Sequence, residues 1–366
     1  MKSVQRSPEG VPRFHRDKLH HSAKKPSRVS GPSNRGRRLS SDSAKAEELG
    51  WDFTGKEFIL FGGKGGVGKT TCAAATAIKA ALRGLRTLLF STDPAHSLSD
   101  SLEQKIGPEI TQVQVGGEAK EHASPLLFAL EISSENMLAT FKQEYEDDIC
   151  AILQTSSYLD KDDIADVFSL TIPGVDEVMG LKIIMDLMSE RRFDFYVLDT
   201  APTGHALRLL ALPDIVDDWI KILAKMRYKY RYVVSRFTGR YAPDKADKFL
   251  LTMKKTINRV HALLKDASRC EFVVVTIPES MAIRETERLV ASLTKLKIPI
   301  KHLIINNVAT SEHKDCPFCS ARWRSQQQHI QEIHDLFSAF EILEIIQRPH
   351  PVRGMELLKE FPVVEL

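Results

Sequence analysis

Short apolar runs alternate with amphipathic stretches along most of the chain after residue 50. Runs rich in Val, Ile, Leu and Phe lie at residues 56–61, 86–91, 126–132, 193–198, 272–277 and 301–305, and residues 361–364 form a further candidate. Continuous runs of this kind are typical of strands that helices cover on both faces, whereas half-exposed strands alternate polar and apolar residues. The pattern therefore predicts an α/β fold of three layers around a mostly parallel sheet.

Helical patterns fill the intervals between these runs. Residues 70–83 are rich in Ala, contain neither Gly nor Pro and precede Gly84, so they predict a helix. Across residues 214–266 no strand pattern occurs, and apolar positions recur every three or four residues. Residues 134–190 have a similar helical pattern. We therefore expect one α/β domain over residues 51–366, with an inserted helical subdomain built from about 134–190 and 214–266.

The first 50 residues differ from the rest of the chain in charge. They contain twelve Lys or Arg and five acids, a net +7, so the remainder sums to −4 within the overall +3. Because few large apolar residues accompany these charges, residues 1–50 predict a disordered basic tail, and the basicity indicates no nucleic-acid partner. The tail lacks a secretory core, and its Arg- and Ser-rich composition leaves an organellar transit peptide as the alternative.

No apolar run approaches the ~20 residues that a membrane-spanning helix needs. We therefore expect a cytoplasmic protein, or one of an organellar matrix or stroma if the tail is a transit peptide. The five cysteines are an odd number, and most lie in apolar or helical surroundings. Such usage favours a reducing compartment.

A glycine cluster directly follows the first apolar run. The residues from Gly63 to Thr70 match the pattern G-x-x-x-x-G-K-[S/T] of a phosphate-binding loop, in the expected place between a strand and a helix. Glycines let the backbone approach a triphosphate closely, and the loop N–H groups and the helix N-terminus supply a positive field. The residues expected to hold the nucleotide are Gly63, Lys64, Gly65, Gly66, Val67, Gly68, Lys69, Thr70 and Thr71.

Side chains in and near this loop have separate expected roles. Lys69 is expected to bridge the β- and γ-phosphates, the Thr70 hydroxyl to bind Mg²⁺, and Thr71 to face the α-phosphate. Asp93 and Asp199 follow apolar runs, and a carboxylate at the C-terminal end of a strand can position a water or hold Mg²⁺. Capping of the following helix is the alternative for each aspartate.

Three blocks together resemble a known family. They are FGGKGGVGKTT at residues 61–71, STDPAHSLSD at 91–100 and DTAPTGHALRLLALP at 199–213. The first resembles the deviant Walker A motif, which carries an additional lysine, here Lys64. The other two resemble the switch I and switch II segments of the ArsA/Get group of P-loop ATPases, and the resemblance covers about residues 55–366.

This resemblance implies a homodimer that binds and hydrolyses ATP with Mg²⁺. It assigns Lys64 to the phosphates of the partner's nucleotide, Asp93 to the attacking water and Asp199 to the Mg²⁺ shell. Asn306 takes the position at which the family contacts adenine, and a strand-end turn is the alternative for it. Residues 348–354 resemble the family's late base-contacting loop only loosely, so we assign no site residue there.

A lone C-x-x-C pair, Cys316 and Cys319, lies in the C-terminal part of the chain. A tetrahedral zinc site needs four ligands, so one pair is half a site that a symmetric dimer could complete. The Get-pathway targeting ATPases carry such a pair followed by Ala-Arg-Trp, as at residues 321–323, which makes zinc shared across the dimer the leading interpretation. A redox-active pair, two free thiols and an iron–sulfur bridge remain alternatives.

The two branches of the family imply different functions. The Get branch shields the C-terminal helix of tail-anchored membrane proteins, whereas the ArsA branch drives an arsenite permease. Residues 173–177 lack the cysteine expected of the arsenite-binding forms, which favours the Get branch. Residues 227–241 are basic and aromatic, which leaves a peripheral membrane contact open. An arsenite-pump ATPase and a redox-switched chaperone are the alternative functions.

Overall fold

In the computed structural model, the residues described below are 53, 55–92, 97–115, 126–131, 190–200, 245–310 and 316–363, with isolated positions between 186 and 237. The expected basic tail and most of the expected helical segment at 134–190 lie outside these residues. The described residues form one sheet with helices on both faces, which confirms the α/β fold expected from the apolar runs.

The sheet has eight strands in the order β3-β4-β2-β5-β1-β6-β7-β8. Their bounds are β1 Phe58–Gly62, β2 Thr87–Ser91, β3 Thr111–Gln112, β4 Leu127–Glu131, β5 Phe195–Asp199, β6 Cys270–Thr276, β7 His302–Val308 and β8 Glu341–Ile346. All pairs are parallel except β3 with β4, which is antiparallel. The central strand β1 and its neighbours are buried along their whole length, which explains their uninterrupted apolar sequences.

Helices cover both faces of the sheet. Their bounds are α1 Lys69–Leu82, α2 Ser97–Leu102, α3 Lys245–Lys265, α4 Ser280–Leu296, α5 Pro317–Leu336 and α6 Gly354–Lys359. Alternate strand residues point to opposite faces: Ile59 and Phe61 pack with α1, α2 and α6, whereas Phe58 and Leu60 pack with α3, α4 and α5. Each face thus has its own hydrophobic core, and the three layers follow from this division.

Three strand assignments differ from the sequence analysis. The candidate strand at 361–364 is wrong for its described residues, because Phe361 and Val363 are buried in a turn in which the Val363 N–H donates to the Phe361 carbonyl at 2.9 Å. Strand β8 was not predicted, since Glu341 and Glu344 interrupt its apolar sequence. The two-residue strand β3 is too short to leave a pattern.

The helical stretch expected over 214–266 contains α3, and the isolated described positions between 217 and 237 are helical. Whether these elements form a separate subdomain stays a prediction. No helix among the described residues is long and apolar enough to cross a membrane.

The strand order places a crevice beside β1. From β1 the chain passes to β2 on one side of the sheet, and from β6 it passes to β7 on the other. Such a reversal leaves a crevice at the C-terminal edge of the strands, where open α/β sheets bind their ligands. The glycine loop lies at this edge.

Candidate nucleotide-binding site

The glycine loop joins β1 to α1 and follows a path that its glycines permit. Gly66 and Gly68 have φ angles of 79° and 98°, in the left-handed region that favours glycine. A side chain at Gly63 would place its Cβ 2.0 Å from the Val275 carbonyl oxygen of β6. The loop is therefore pressed against β6, and Val67 is buried beneath it.

Lys69 begins α1 and folds back over the loop. Its Nζ donates to the Lys64 carbonyl oxygen at 3.2 Å, and the residue is only 5 % exposed. A cation held above a turn of backbone N–H groups at a helix N-terminus is the arrangement that binds a triphosphate. Lys64 itself is half-buried, and the expected contact of its ammonium with a partner's nucleotide stays a prediction.

Asp199 lies beside the loop at the end of β5. It is fully buried, and its Oδ2 accepts hydrogen bonds from Thr70 Oγ1 at 2.7 Å and from Ser91 Oγ at 3.4 Å. The strand register pairs Asp199 with Phe61 of β1 and with Ser91 of β2, which holds the carboxylate at the sheet edge. Carboxylate and hydroxyl oxygens are ligands that Mg²⁺ prefers, so Thr70 and Asp199 fit the predicted ion.

The segment expected to position the attacking water lies partly outside the described residues. Asp93 and residues 94–96 are outside them, whereas Thr92 before them and α2 after them are described. Directly before Asp93, the Thr92 N–H donates to the Asp199 carbonyl oxygen at 3.2 Å. The segment at 199–213 that resembles switch II is likewise described only in part, since Pro202 and Thr203 lie outside the described residues.

Glu131 holds the start of α2, the helix that follows Asp93, and no sequence pattern had indicated this residue. Its Oε1 accepts from the N–H groups of Leu98 and Ser99 at 2.9 and 3.1 Å, and its Oε2 accepts from Ser99 Oγ at 2.9 Å. The buried carboxylate thus caps α2, the helix that follows Asp93. Glu131 is distant in sequence from the loop, so only the register of β4 with Ser91 of β2 reveals it.

Asn306 lies on the opposite side of the loop, near the end of β7. Its Nδ2 donates to the Val67 carbonyl oxygen at 2.9 Å, and a Cβ at Gly68 would lie 2.3 Å from the same nitrogen. The amide therefore touches the loop directly, beside the space that a nucleotide would take. The predicted contact of Asn306 with adenine is consistent with this position but is not tested by it.

A cavity of about 430 Å³ opens next to Asn306. One wall consists of loop and strand residues: Gly66, Gly68, Thr71, Asn306 and Asn307. The opposite wall consists of residues 346–353 and Phe361, which follow β8. The segment that resembled a base-contacting loop only weakly in sequence thus closes the cavity, and its cations Arg348 and Arg353 line it.

The two cysteines of the C-x-x-C pair lie at the start of α5. Cys316 is the N-cap residue, and its Sγ accepts from the Cys319 N–H at 3.5 Å. This backbone hydrogen bond, together with the one to the Cys319 side chain, lowers the pKa of Cys316, while the Cys316 thiolate raises the pKa of Cys319. Among the described residues, no group of three or more His, Cys, Asp or Glu could hold a metal ion.

The fold and this site define a P-loop nucleoside triphosphatase: a glycine loop between the central strand and a helix, its lysine folded over it, and an aspartate bonded to its threonine. Comparison with protein families narrows this class. The model of the anion-transporting ATPase family, ArsA_ATPase, matches residues 56–364, so the chain belongs to this family of ATPases.

Curated relatives cover most of the chain. The ATPase GET3C of Arabidopsis thaliana is 36 % identical over 326 residues, which span 83 % of this chain and 81 % of the relative. The ATPase ASNA1 homolog 1 of Paramecium tetraurelia is 34 % identical over 313 residues, spanning 83 % and 91 %. The ATPase GET3 of Rhodotorula glutinis is 31 % identical over 316 residues, spanning 84 % and 87 %. These matches confirm the resemblance to the ArsA/Get group.

Proposed function

We propose that the chain is a Mg²⁺-dependent homodimeric ATPase that captures and releases the hydrophobic C-terminal helix of tail-anchored membrane proteins. The contact that carries the ATPase part is Thr70 Oγ1 to Asp199 Oδ2 at 2.7 Å, because it brings two ion-binding oxygens to the phosphate loop. The client is supported by the relatives named GET3 and ASNA1 and by the sequence resemblance to the Get branch.

Thr70 and Asp199 would hold the Mg²⁺, which neutralises charge on the transferring phosphate when bound. Lys69 would hold the β- and γ-phosphates, and Asp93 would orient the attacking water. Loss of the γ-phosphate would release the segments around Asp93 and after Asp199, which are the elements expected to change shape. The subunits would then separate and open the client site.

The form of α5 supports a dimer. Gln326 lies level with the end of β7, and no residue between it and Cys316 is buried. The nine residues of α5 before Gln326 span about 14 Å at 1.5 Å per residue, and since none of them is buried they form an exposed arm. This arm presents Phe318, which is 73 % exposed, together with both cysteines. It is the surface on which we place the second copy.

Zinc shared by two copies is part of this proposal. Each chain offers Cys316 and Cys319, and a tetrahedral site of four thiolates needs both chains. The pair fits half of such a site, because the cysteines are three residues apart at a helix start and partly exposed. We expect metal analysis of purified protein to give one zinc per dimer, and none in Cys316→Ser. Metal-free dimers would contradict the zinc site and leave a redox-active pair or two free thiols.

The client is tested by co-expression with a tail-anchored helix. Wild type and Lys105→Ala, an exposed lysine outside the site, are expected to yield a helix complex that ATP binding controls, whereas Lys69→Ala is expected to yield none. Equal recovery from Lys69→Ala, or no complex from wild type, would contradict the client. ATPase stimulation by arsenite that is lost in Cys316→Ser would assign the chain to the pump branch instead.

A further inference from the structure

The first buried residue of α5 is a glutamine. Gln326 is 6 % exposed and is followed in the core by Ile330 and Ile333, whereas the arm before it contains no buried residue. A buried side-chain amide is costly unless both of its polar atoms are bonded. Gln326 meets that requirement: its Oε1 accepts from the Ala309 N–H at 2.7 Å, and its Nε2 donates to the Asn307 carbonyl oxygen at 3.3 Å.

Both partners belong to an irregular piece of backbone at the end of β7. The pairing of β7 with β8 shifts register between Ile305 and Val308, and Asn307 has a φ of 57°. A left-handed conformation is unfavourable for a non-glycine residue, although asparagine tolerates it better than most. Gln326 bonds the carbonyl oxygen of this strained residue and the N–H of Ala309 two residues later, so it stabilises the irregular backbone.

Asn306 occupies the last regular position of β7 before the irregular backbone. Ile304 packs on the face of α1 and Ile305 on the opposite face, so strand alternation places Asn306 on the face of α1, beside the phosphate loop. The backbone that directly follows Asn306 is the part that Gln326 fixes. Asn306 here turns to the phosphate loop and donates to the Val67 carbonyl oxygen at 2.9 Å. A continuous chain of contacts therefore runs from α5 through Gln326, the Asn307 backbone and Asn306 to the loop.

We propose that Gln326 is a positioning residue that holds Asn306 against the nucleotide site and couples that site to the arm of α5. The proposal rests on the proposed function, because it takes the cavity beside Asn306 as the place of the nucleotide base. Coupling between two sites is reciprocal. Nucleotide in the site must therefore alter the arm, and the state of the arm must alter nucleotide affinity.

The test compares Gln326→Leu with Gln328→Leu. Both replace a glutamine by leucine on the same helix, but Gln328 is exposed and touches no part of the irregular backbone. Gln326→Leu is expected to raise KM for ATP about tenfold, to leave kcat within about threefold, and to weaken the preference for ATP over GTP, since two hydrogen bonds are lost. Gln328→Leu is expected to match wild type in all three quantities.

The second measurement uses protein from which any bound zinc has been removed, and follows the maleimide labelling rate of Cys316 with and without saturating ATP. In wild type and in Gln328→Leu the nucleotide is expected to change this rate severalfold, and in Gln326→Leu to leave it unchanged. If Gln326→Leu does not fold, the same measurements are made on Gln326→Glu. This variant keeps the oxygen that accepts from the Ala309 N–H and loses the amide that donates to the Asn307 carbonyl oxygen. It is expected to show the same changes at smaller size.

Two results would overturn the inference. One is a Gln326→Leu enzyme with the KM and base preference of the Gln328→Leu control, and the other is a labelling rate that ignores nucleotide in wild type. Neither result touches the ATPase assignment. A wild-type protein that does not hydrolyse ATP, or that does not distinguish ATP from GTP, would instead contradict the proposed function itself.

Discussion

The two edges of the sheet each bury a carboxylate, and the two carboxylates have different neighbours. At the C-terminal edge, Asp199 of β5 accepts hydrogen bonds from the hydroxyls of Thr70 and Ser91. At the N-terminal edge, Glu271 of β6 contacts the Nδ1 of His302 and lies 3.6 Å from the Nζ of Lys56. Glu271 and His302 are 1 % and 0 % exposed, so this edge is sealed.

The different neighbours suggest different roles: we expect the C-terminal edge to serve ATP hydrolysis and the N-terminal edge to serve stability. A buried carboxylate needs compensation for its lost hydration, and a cation from the same chain supplies it at the N-terminal edge through Lys56. At the C-terminal edge, Asp199 accepts hydrogen bonds from hydroxyls on the phosphate loop and β2, which can rearrange around an incoming ion. The C-terminal edge thus contains the residues of the proposed ATP site, whereas the N-terminal edge holds its carboxylate against a lysine and a histidine of the same chain.

The largest effect is expected from Asp199→Asn. This change keeps the shape and the acceptor for Thr70 but removes the charge that would hold Mg²⁺, so kcat for ATP hydrolysis is expected to fall about 100-fold. Thermal unfolding should show the variant folded. Asp194→Asn is the control: it lies five residues earlier in an exposed pair with Arg86, and its activity should equal wild type. Wild-type turnover by the Asp199→Asn enzyme would contradict the assignment of Asp199 as a ligand of Mg²⁺.

Changing the N-terminal edge is expected to affect stability and not turnover. His302→Leu leaves Glu271 buried with Lys56 but without the imidazole, which is expected to cost about 3 kcal/mol of unfolding free energy. Denaturant titration measures this loss. Glu341→Gln removes a carboxylate that is 43 % exposed and lies 3.2 Å from the other nitrogen of His302, and it should cost under about 1 kcal/mol. A fall in kcat of folded His302→Leu would contradict the claim that the N-terminal edge serves stability and not turnover.

The expected role of Lys64 at the partner's nucleotide predicts complementation between two inactive variants. Lys64→Ala and Asp93→Asn should each be inactive as homodimers. If Lys64 acts on the partner's nucleotide, one site of each mixed dimer is intact, so a 1:1 mixture should recover roughly a quarter of the wild-type rate. If Lys64 serves its own subunit, no mixture recovers activity, and that result would remove the trans role.

The smallest effect concerns thiol reactivity. Burial raises the pKa of Cys72 near one edge and of Cys270 at the other, whereas hydrogen bonds lower the pKa of Cys316. In metal-free protein carrying Cys150→Ser, iodoacetamide is therefore expected to modify Cys316 severalfold faster than Cys319, with a rate that rises with pH and reaches half its maximum below pH 9. Modification of Cys72 or Cys270 should require denaturant. Equal rates of modification at Cys316 and Cys319 would contradict the role of Cys316 as the hydrogen-bonded N-cap of α5.

Much of the fold follows from local sequence. The runs that became β1, β2, β4, β5, β6 and β7 were predicted because both of their faces are buried and their sequences are continuously apolar. The limit of this reasoning is β8, where Glu341 and Glu344 lie on an edge strand with less burial. The phosphate loop was predicted for a similar reason: eight consecutive residues contain all that the motif requires.

Residues that act at a distance had no such signal. Neither Glu131 nor Gln326 lies in a recognisable motif. Each became visible only when strand register and helix packing brought it to backbone atoms far along the chain. Residues 348–354 carried only a loose resemblance, and the place of residues 346–353 in the cavity depends on β8 lying beside β7.

The sequence by itself thus determined the class of chemistry, because the phosphate loop and the α/β pattern are encoded in contiguous residues. Only the tertiary structure decided which side chains surround that loop, since parallel strands place residues from distant segments along one edge. Asp199, Ser91 and Glu131 stand in one row for this reason. The sealed pair of Glu271 and His302 arises from the same register at the opposite end, where the chain supplies its own partners.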